Sequence, residues 1–167
     1  MRLTNYTDYT LRTLIYLALA TDRLATIAEI SEHYGISAAH LNKVVHQLGL
    51  AGEIETVRGK GGGLRLARPP EAIRVGDIVQ RCEPDMSLAP CFGDQGGCAI
   101  EPCCVLERAL YGALSAFLKE LNRYTLADLI APRRKLAALL GLSSMAPGKD
   151  LAGNRQSPPA GPKPRVA

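Results

Sequence analysis

Apolar residues recur along this chain at two periods, and the points where the period changes divide it into elements. Residues 6–20, "YTDYTLRTLIYLALA", put Leu11, Leu14, Ile15 and Ala18 on one helical stripe. Asn5 or Thr4 can cap its start, and Asp8 falls in the first turn, where a negative charge suits the helix dipole. Thr26 and Glu29 have capping-box spacing and open a short helix with Ile27, Ile30 and Tyr34 inward. Gly35 can take the left-handed conformation that ends a helix, and Ser37 caps the next one. Leu41, Val44, Val45 and Leu48 follow the i, i+3, i+4, i+7 pattern of an inward face. That leaves Ala38, Ala39, His40, Asn42, Lys43, His46 and Gln47 facing outward. Two short helices around a glycine-containing turn form a helix-turn-helix pattern.

The period then shortens. "EIETV" (53–57) and "GLRLA" (63–67) read as two strands joined by "RGKGGG", and a hairpin after a helix-turn-helix makes a winged helix. Arg58 and Lys60 would sit at the wing's tip, among glycines that keep it thin enough to approach phosphates or a minor groove. Reading "GKGGG" as a nucleotide-phosphate loop fails, because no Ser or Thr follows the lysine and no helix-forming run follows the glycines. Beyond Pro69-Pro70, "EAIRVGDIVQRCE" is predicted to be helical, with Val75, Ile78, Val79 and Cys82 on one stripe. Cys82 is thus expected to be a core thiol.

A long helix is predicted from Pro102 to about Tyr124. Its apolar surface runs through Leu106, Leu110, Leu114, Phe117, Leu118 and Leu121, with Ala109 and Ala113, and is too broad for one-sided packing. A helix of about 20 residues spans roughly 30 Å, more than a winged-helix body covers, so a second copy of the chain is the expected partner. Thr125 and Asp128 open a brief helix ended by Pro132, and "RRKLAALLGL" adds a turn or two. From Ser143 onward the chain holds five of its eleven prolines and few apolar residues, the composition of a disordered tail. The expected fold is mainly α with a small β-hairpin wing. It divides into a winged helix-turn-helix (1–82), a loop (83–101), a dimerisation helix region (102–132) and a basic, largely disordered tail (133–167).

Charge sharpens this picture only locally. The net charge of +4 divides into −2 over residues 1–132 and +6 over residues 133–167, where seven basic residues face Asp150 alone. The overall basicity therefore says nothing about the folded part. Within the body, Arg58, Lys60, Arg65, Arg68 and Arg74 form a basic strip whose one acid is Glu71. The outward face of the second helix adds small residues that permit close approach, amides suited to adenine edges, and a lysine for guanine or phosphate. The candidate DNA contacts are Ser37, Ala38, His40, Asn42, Lys43, Arg58 and Lys60. The longest apolar run, "LIYLALA" (14–20), is too short to span a bilayer. No membrane association is expected, and a cytoplasmic location follows.

Four of the five cysteines fall in "CFGDQGGCAIEPCC", residues 91–104. In a reducing compartment, clustered thiols read as metal ligands or redox groups rather than as a disulfide framework. Zinc ribbons and thioredoxin-type sites use a CxxC pair, and none occurs here. Cys91, Cys98 and Cys104 are spaced widely enough to wrap an iron–sulfur cluster, and Gly93, Gly96 and Gly97 let the backbone curl around it. Zinc or a thiol switch remains an alternative. Adjacent residues at a helix start point about 100° apart, so Cys103 and Cys104 are not both expected to be primary ligands. A cysteine-based redox enzyme lacks support, since the three histidines all lie in the helix-turn-helix and no cofactor loop is present.

"MRLTNYTDYTLRTLIYLA", "ISAAHLNKVVHQL", "VRGKGGGLRLA" and "CAIEPCCVLERAL" stand in an order that resembles the NsrR/IscR-type family of winged-helix regulators, and within it the nitric-oxide-sensing repressors. The similarity runs from residue 1 to about 132. It implies a homodimeric, DNA-binding repressor carrying one iron–sulfur cluster per subunit, a 4Fe-4S form ahead of a 2Fe-2S form. The implied ligands are Cys91, Cys98 and Cys104, with Asp8 supplied by the partner subunit. IscR-like members use a histidine three residues after the third cysteine; Glu107 occupies that position here, which argues against their scheme. Cys103 and the wide first cysteine spacing depart from the pattern. The implied effector is nitric oxide, which would release operator DNA; sensing of iron or redox state is the alternative within the family.

Overall fold

The computed structural model describes residues 2–83, 85–89, 92, 98, 100 and 103–142. Helix α1 (Asn5–Leu19) is capped by Thr4, whose hydroxyl accepts the Thr7 N–H. Its buried face includes Leu14 and Ala18 but turns toward Thr7, Thr10, Thr13 and Leu17, leaving Leu11 and Ile15 only half-buried. The hydroxyls of Thr10 and Thr13 donate to the Tyr6 and Tyr9 carbonyls at 2.8 Å, so these polar side chains enter the core already satisfied.

Helix α2 (Ile27–Tyr34) opens with the complete Thr26/Glu29 capping box and closes on Gly35, whose φ of 63° is the left-handed conformation glycine tolerates. Helix α3 (Ala38–Leu50) is capped by Ser37 and buries Leu41, Val44, Val45 and Leu48. Strands β1 (Ile54–Val57) and β2 (Gly63–Leu66) pair antiparallel with Glu55 opposite Arg65, and Ala25 adds a single antiparallel bridge to Leu64.

The helix expected from Glu71 starts later. Pro70–Ala72 is a 3₁₀ turn, Ile73 and Arg74 are extended, and α4 spans Val75–Cys82. The intervening backbone pairs across the fold instead of within a helix. Leu126 N–H donates to Ile73 O at 2.8 Å, and Val75 N–H to Tyr124 O at 3.0 Å. At Gly76, α4 meets the end of α5 (Val105–Leu121): a Cβ there would lie 2.4 Å from Asn122 Oδ1 and 2.7 Å from Leu118 O. Asn122 in turn accepts the Asp77 N–H and donates to the Asp77 carboxylate.

Helix α5 begins at Val105 with Cys104 as its cap, three residues after Pro102, which lies outside the described residues. None of its residues is buried; Val105 and Leu106 are 68% and 65% exposed. Thr125 and Asp128 form the capping box of α6 (Leu126–Leu129), which ends at Ile130 rather than at Pro132. Pro132 caps α7 (Arg133–Leu139) instead. The first ten residues of the stretch read as a tail are therefore folded onto the body. Arg133 donates to Ala18 O, Leu19 O and Thr21 Oγ1, satisfying carbonyls left over at the end of α1, and Leu142 is 4% exposed. Residues 143–167 lie outside the described residues. Helix α1 is the hub, packed against α3, α4, α6 and β2. Among the described residues no helix is long and apolar enough to cross a membrane.

Candidate nucleic-acid interface and thiol site

The start of α3 presents Ser37, Ala38, His40, Asn42 and Lys43, all exposed. Ser37 Oγ accepts the His40 N–H and lies 2.9 Å from His40 Nδ1, which orients the ring. The same ring packs 5.8 Å from that of Tyr9, tying the reading surface to α1. The exposed Asn42 side chain donates to Ala38 O at 2.8 Å.

The basic strip is thinner in space than in sequence. Arg65 pairs with Glu55 across the hairpin at 2.6 Å, and Arg74 donates to Asn122 O. Arg68 and Arg81 both converge on Glu53, at 3.1 and 2.8 Å. Arg58 and Lys60 at the hairpin tip are exposed and have no ion-pair partner among the described residues. Within the strip, Arg58 and Lys60 are thus the cations left free to meet a polyanion, and Lys43 on α3 is exposed as well.

Glu53 escaped the sequence reading. It is 1% exposed, and its partners stand 15 and 28 residues further along the chain, beyond any local pattern. Its N–H donates to Leu48 O and its carbonyl accepts from Ala67, so one residue joins the end of α3, the base of the wing and α4. Glu83 is a second such residue. Its carboxylate accepts from Thr4 N–H at 2.8 Å and from the hydroxyls of Thr4 and Thr7, pinning the start of α1 where α4 ends.

The thiols differ sharply in environment. Cys104 Sγ accepts the Glu107 N–H at 3.4 Å, as the cap of α5. Cys103 Sγ instead donates to Ile100 O at 3.5 Å. Cys98 is exposed, and Cys91 lies outside the described residues. Phe92 stacks on Tyr111 of α5, with ring centroids 4.2 Å apart and planes 17° from parallel. Cys82 is half-buried between α1 and α4; burial pushes its thiol above the usual range, against weaker opposing effects of Thr10 and Arg81. Asp8 forms a half-exposed ion pair with Arg12 at 2.9 Å. Among the described residues no three metal-ligating side chains are assembled, so a site including Asp8 is not closed within one chain's described part.

A helix-turn-helix followed by a hairpin wing, with a free basic tip and a polar reading face, defines a winged-helix DNA-binding regulator. The chain belongs to the Rrf2 family: the family's model, described as "Iron-dependent Transcriptional regulator", matches residues 3–132. Similar proteins include the HTH-type transcriptional regulator NsrR of Bacillus licheniformis, 44% identical over 142 residues that cover 84% of this chain and 99% of that one. NsrR of Bacillus subtilis is 45% identical over 142 residues, 84% of this chain and 97% of its own. Among solved structures, CymR, the global cysteine regulator of B. subtilis, has a TM-score of 0.63 at 25% identity, covering 79% of this chain and 98% of its own. T. potens IscR shares the fold, with a TM-score of 0.66 at 24% identity over 89% of this chain and 94% of that one. The NsrR relatives are transcriptional regulators.

Proposed function

We propose that the protein is a homodimeric cytoplasmic repressor that holds an iron–sulfur cluster and leaves its operator when nitric oxide reaches that cluster. Cys91, Cys98 and Cys104 would hold it, with Asp8 of the partner subunit as the fourth ligand. The observation that carries the reading is the contrast between the two adjacent thiols. A thiolate strengthens an accepted N–H bond, which is what Cys104 makes, and α5's N-terminus favours the negative charge. A thiolate at Cys103 would lose its donated bond and face a carbonyl oxygen. Cys82, held neutral by burial, is equally unsuited to be a ligand.

When bound, the cluster would supply the iron at which nitric oxide reacts, the carboxylate being the weakest of its ligands. The chain's own part is mechanical. Asp8 lies one residue from Tyr9, which packs on His40 of the reading helix, so a tie on Asp8 bears on the position of the DNA-reading surface. The identity to NsrR relatives over nearly their whole length supports the assignment. The family's description as iron-dependent favours a second reading, in which iron supply is the signal.

Anaerobic absorption spectra of single variants test the ligand set. Cys91→Ala, Cys98→Ala and Cys104→Ala are expected to lose a wild-type spectrum, while Cys82→Ala and Cys103→Ala keep it. Asp8→Ala should alter the spectrum and the response to nitric oxide. An unaltered spectrum and response would leave Asp8 only its pairing with Arg12 and its favourable place at the helix N-terminus, worth about 0.3–1 kcal/mol. Release of DNA by iron chelation but not by nitric oxide would select the second reading.

A further inference from the structure

We propose that Glu83 is a positioning residue for Asp8: its carboxylate holds the first turn of α1 so that Asp8 can reach the cluster of the other subunit. The inference rests on the ligation by Asp8 proposed above and names what makes it workable. Asp8 stands in the first turn of a helix, and helix ends fray. A ligand supplied across a dimer has to be held to within about 0.5 Å, closer than a fraying turn allows.

The contacts Asp8 and its cap make within α1 do not meet that need. The Asp8 carboxylate is half-exposed and pairs with Arg12, one turn along the same helix. Thr4 caps the helix by accepting the Thr7 N–H at 3.3 Å, which is again a local bond. Both contacts move with the helix start and leave it free against the rest of the molecule.

Glu83 supplies the missing anchor. Its Oε1 accepts from Thr4 N–H at 2.8 Å, from Thr4 Oγ1 at 3.2 Å and from the Thr7 hydroxyl. Thr7 is fully buried, so its bond is shielded from competing water. Both threonines in turn hold Asp8: Thr4 O accepts the Asp8 N–H at 3.2 Å, and Thr7 is its neighbour along the chain. The carboxylate arrives from 79 and 76 residues away, and its own N–H donates to Val79 O at the end of α4, the helix packed on α1. A negative charge at the start of α1 is favoured by the helix dipole as well. The competing account gives Glu83 a role in the fold alone, since the same bonds join α1 to α4. The two accounts differ in whether the effect of Glu83 passes through Asp8.

The test uses Glu83→Ala, Glu83→Gln and Asp8→Ala in the full-length, cluster-loaded chain, with cluster loss to EDTA followed anaerobically by absorbance. Glu83→Ala is expected to lose the cluster about tenfold faster than wild type, the usual scale for removing a group that orients a metal ligand. Glu83→Gln keeps an acceptor oxygen and should stay close to wild type. In an Asp8→Ala background, Glu83→Ala should add nothing, because the side chain it positions is gone. In cluster-free protein, hydrogen exchange at the amides of residues 7 and 8 should quicken in Glu83→Ala while α3 keeps its protection. Faster loss in Asp8→Ala beside a wild-type rate in Glu83→Ala overturns the inference and leaves Asp8 a ligand. Additive effects of the two substitutions overturn it too, in favour of a role in the fold alone. A wild-type spectrum and rate in Asp8→Ala removes the ligand itself, and the inference falls with that reading. If Glu83→Ala takes up no cluster, unchanged exchange at the start of α1 overturns it.

Discussion

Cys103 and Cys104 share a peptide bond, yet one sulfur donates a hydrogen bond and the other accepts one. Cys82 takes a third course. Burial raises its pKa, so the folded state prefers the neutral thiol. The stability this contributes is complete below the ordinary thiol value and is lost as pH rises through the raised one. Two results follow for cluster-free protein. Iodoacetamide at neutral pH should label exposed Cys98 and Cys103 well ahead of Cys82, as read by peptide mass mapping. The melting temperature of wild type should fall on the alkaline side more than that of Cys82→Ala. Equal labelling rates would show that the thiol is not shielded. At this scale the sequence was legible wherever the physics is local: Thr26, Gly35, Ser37 and Thr125 all act as their neighbours predicted. Glu53, Glu83 and Arg133 were not, because their partners lie 15 to 115 residues away.

The elements themselves were legible because α2, α3 and the two strands each carry a clean period and a stop signal. The break before α4 was not. Apolar spacing runs unbroken through Ile73 and Val75, and only the pairing of 73–75 with 124–126 shows that this backbone is extended. The same corner holds a close approach between α4 and the end of α5. Gly76→Ala puts a methyl group against Asn122 and the backbone of Leu118, so α4 and α5 must separate or the Asn122–Asp77 bonds must break. A loss of about 1–3 kcal/mol is expected in urea unfolding, typical of overpacking. Wild-type stability in Gly76→Ala would mean that the corner is loose.

On the scale of the whole molecule, the width of α5's apolar surface already pointed to a second copy, and the structure covers that surface only in part, leaving Val105, Leu106 and Tyr111 exposed. Leu106→Asp should therefore act on assembly rather than on folding. Sedimentation is expected to show a dimer for wild type and a monomer for the variant. The body's melting point should change little, because this side chain is already 65% exposed in the single chain. A dimeric Leu106→Asp protein would place the interface elsewhere. Affinity for a two-half-site operator should fall with the dimer, since each head then binds alone. The turn or two expected from "RRKLAALLGL" is α7, but that Arg133 closes α1 was not legible, because its partners lie 114 and 115 residues away.

The wing is fastened at its root. Glu53 grips it from inside the body, through Arg68 and the Ala67 N–H, while Arg58 and Lys60 at the tip make no ion pair among the described residues. The wing's anchorage and its exposed charge therefore sit on different residues. On the proposed reading, a change of charge at the tip alters DNA affinity without loosening the fold. Laboratory evolution of DNA affinity should accordingly find its tolerated changes at residues 58 and 60, and almost none at 53 or at Gly59, Gly61 and Gly62, where a side chain would be strained or meet the Val57 carbonyl.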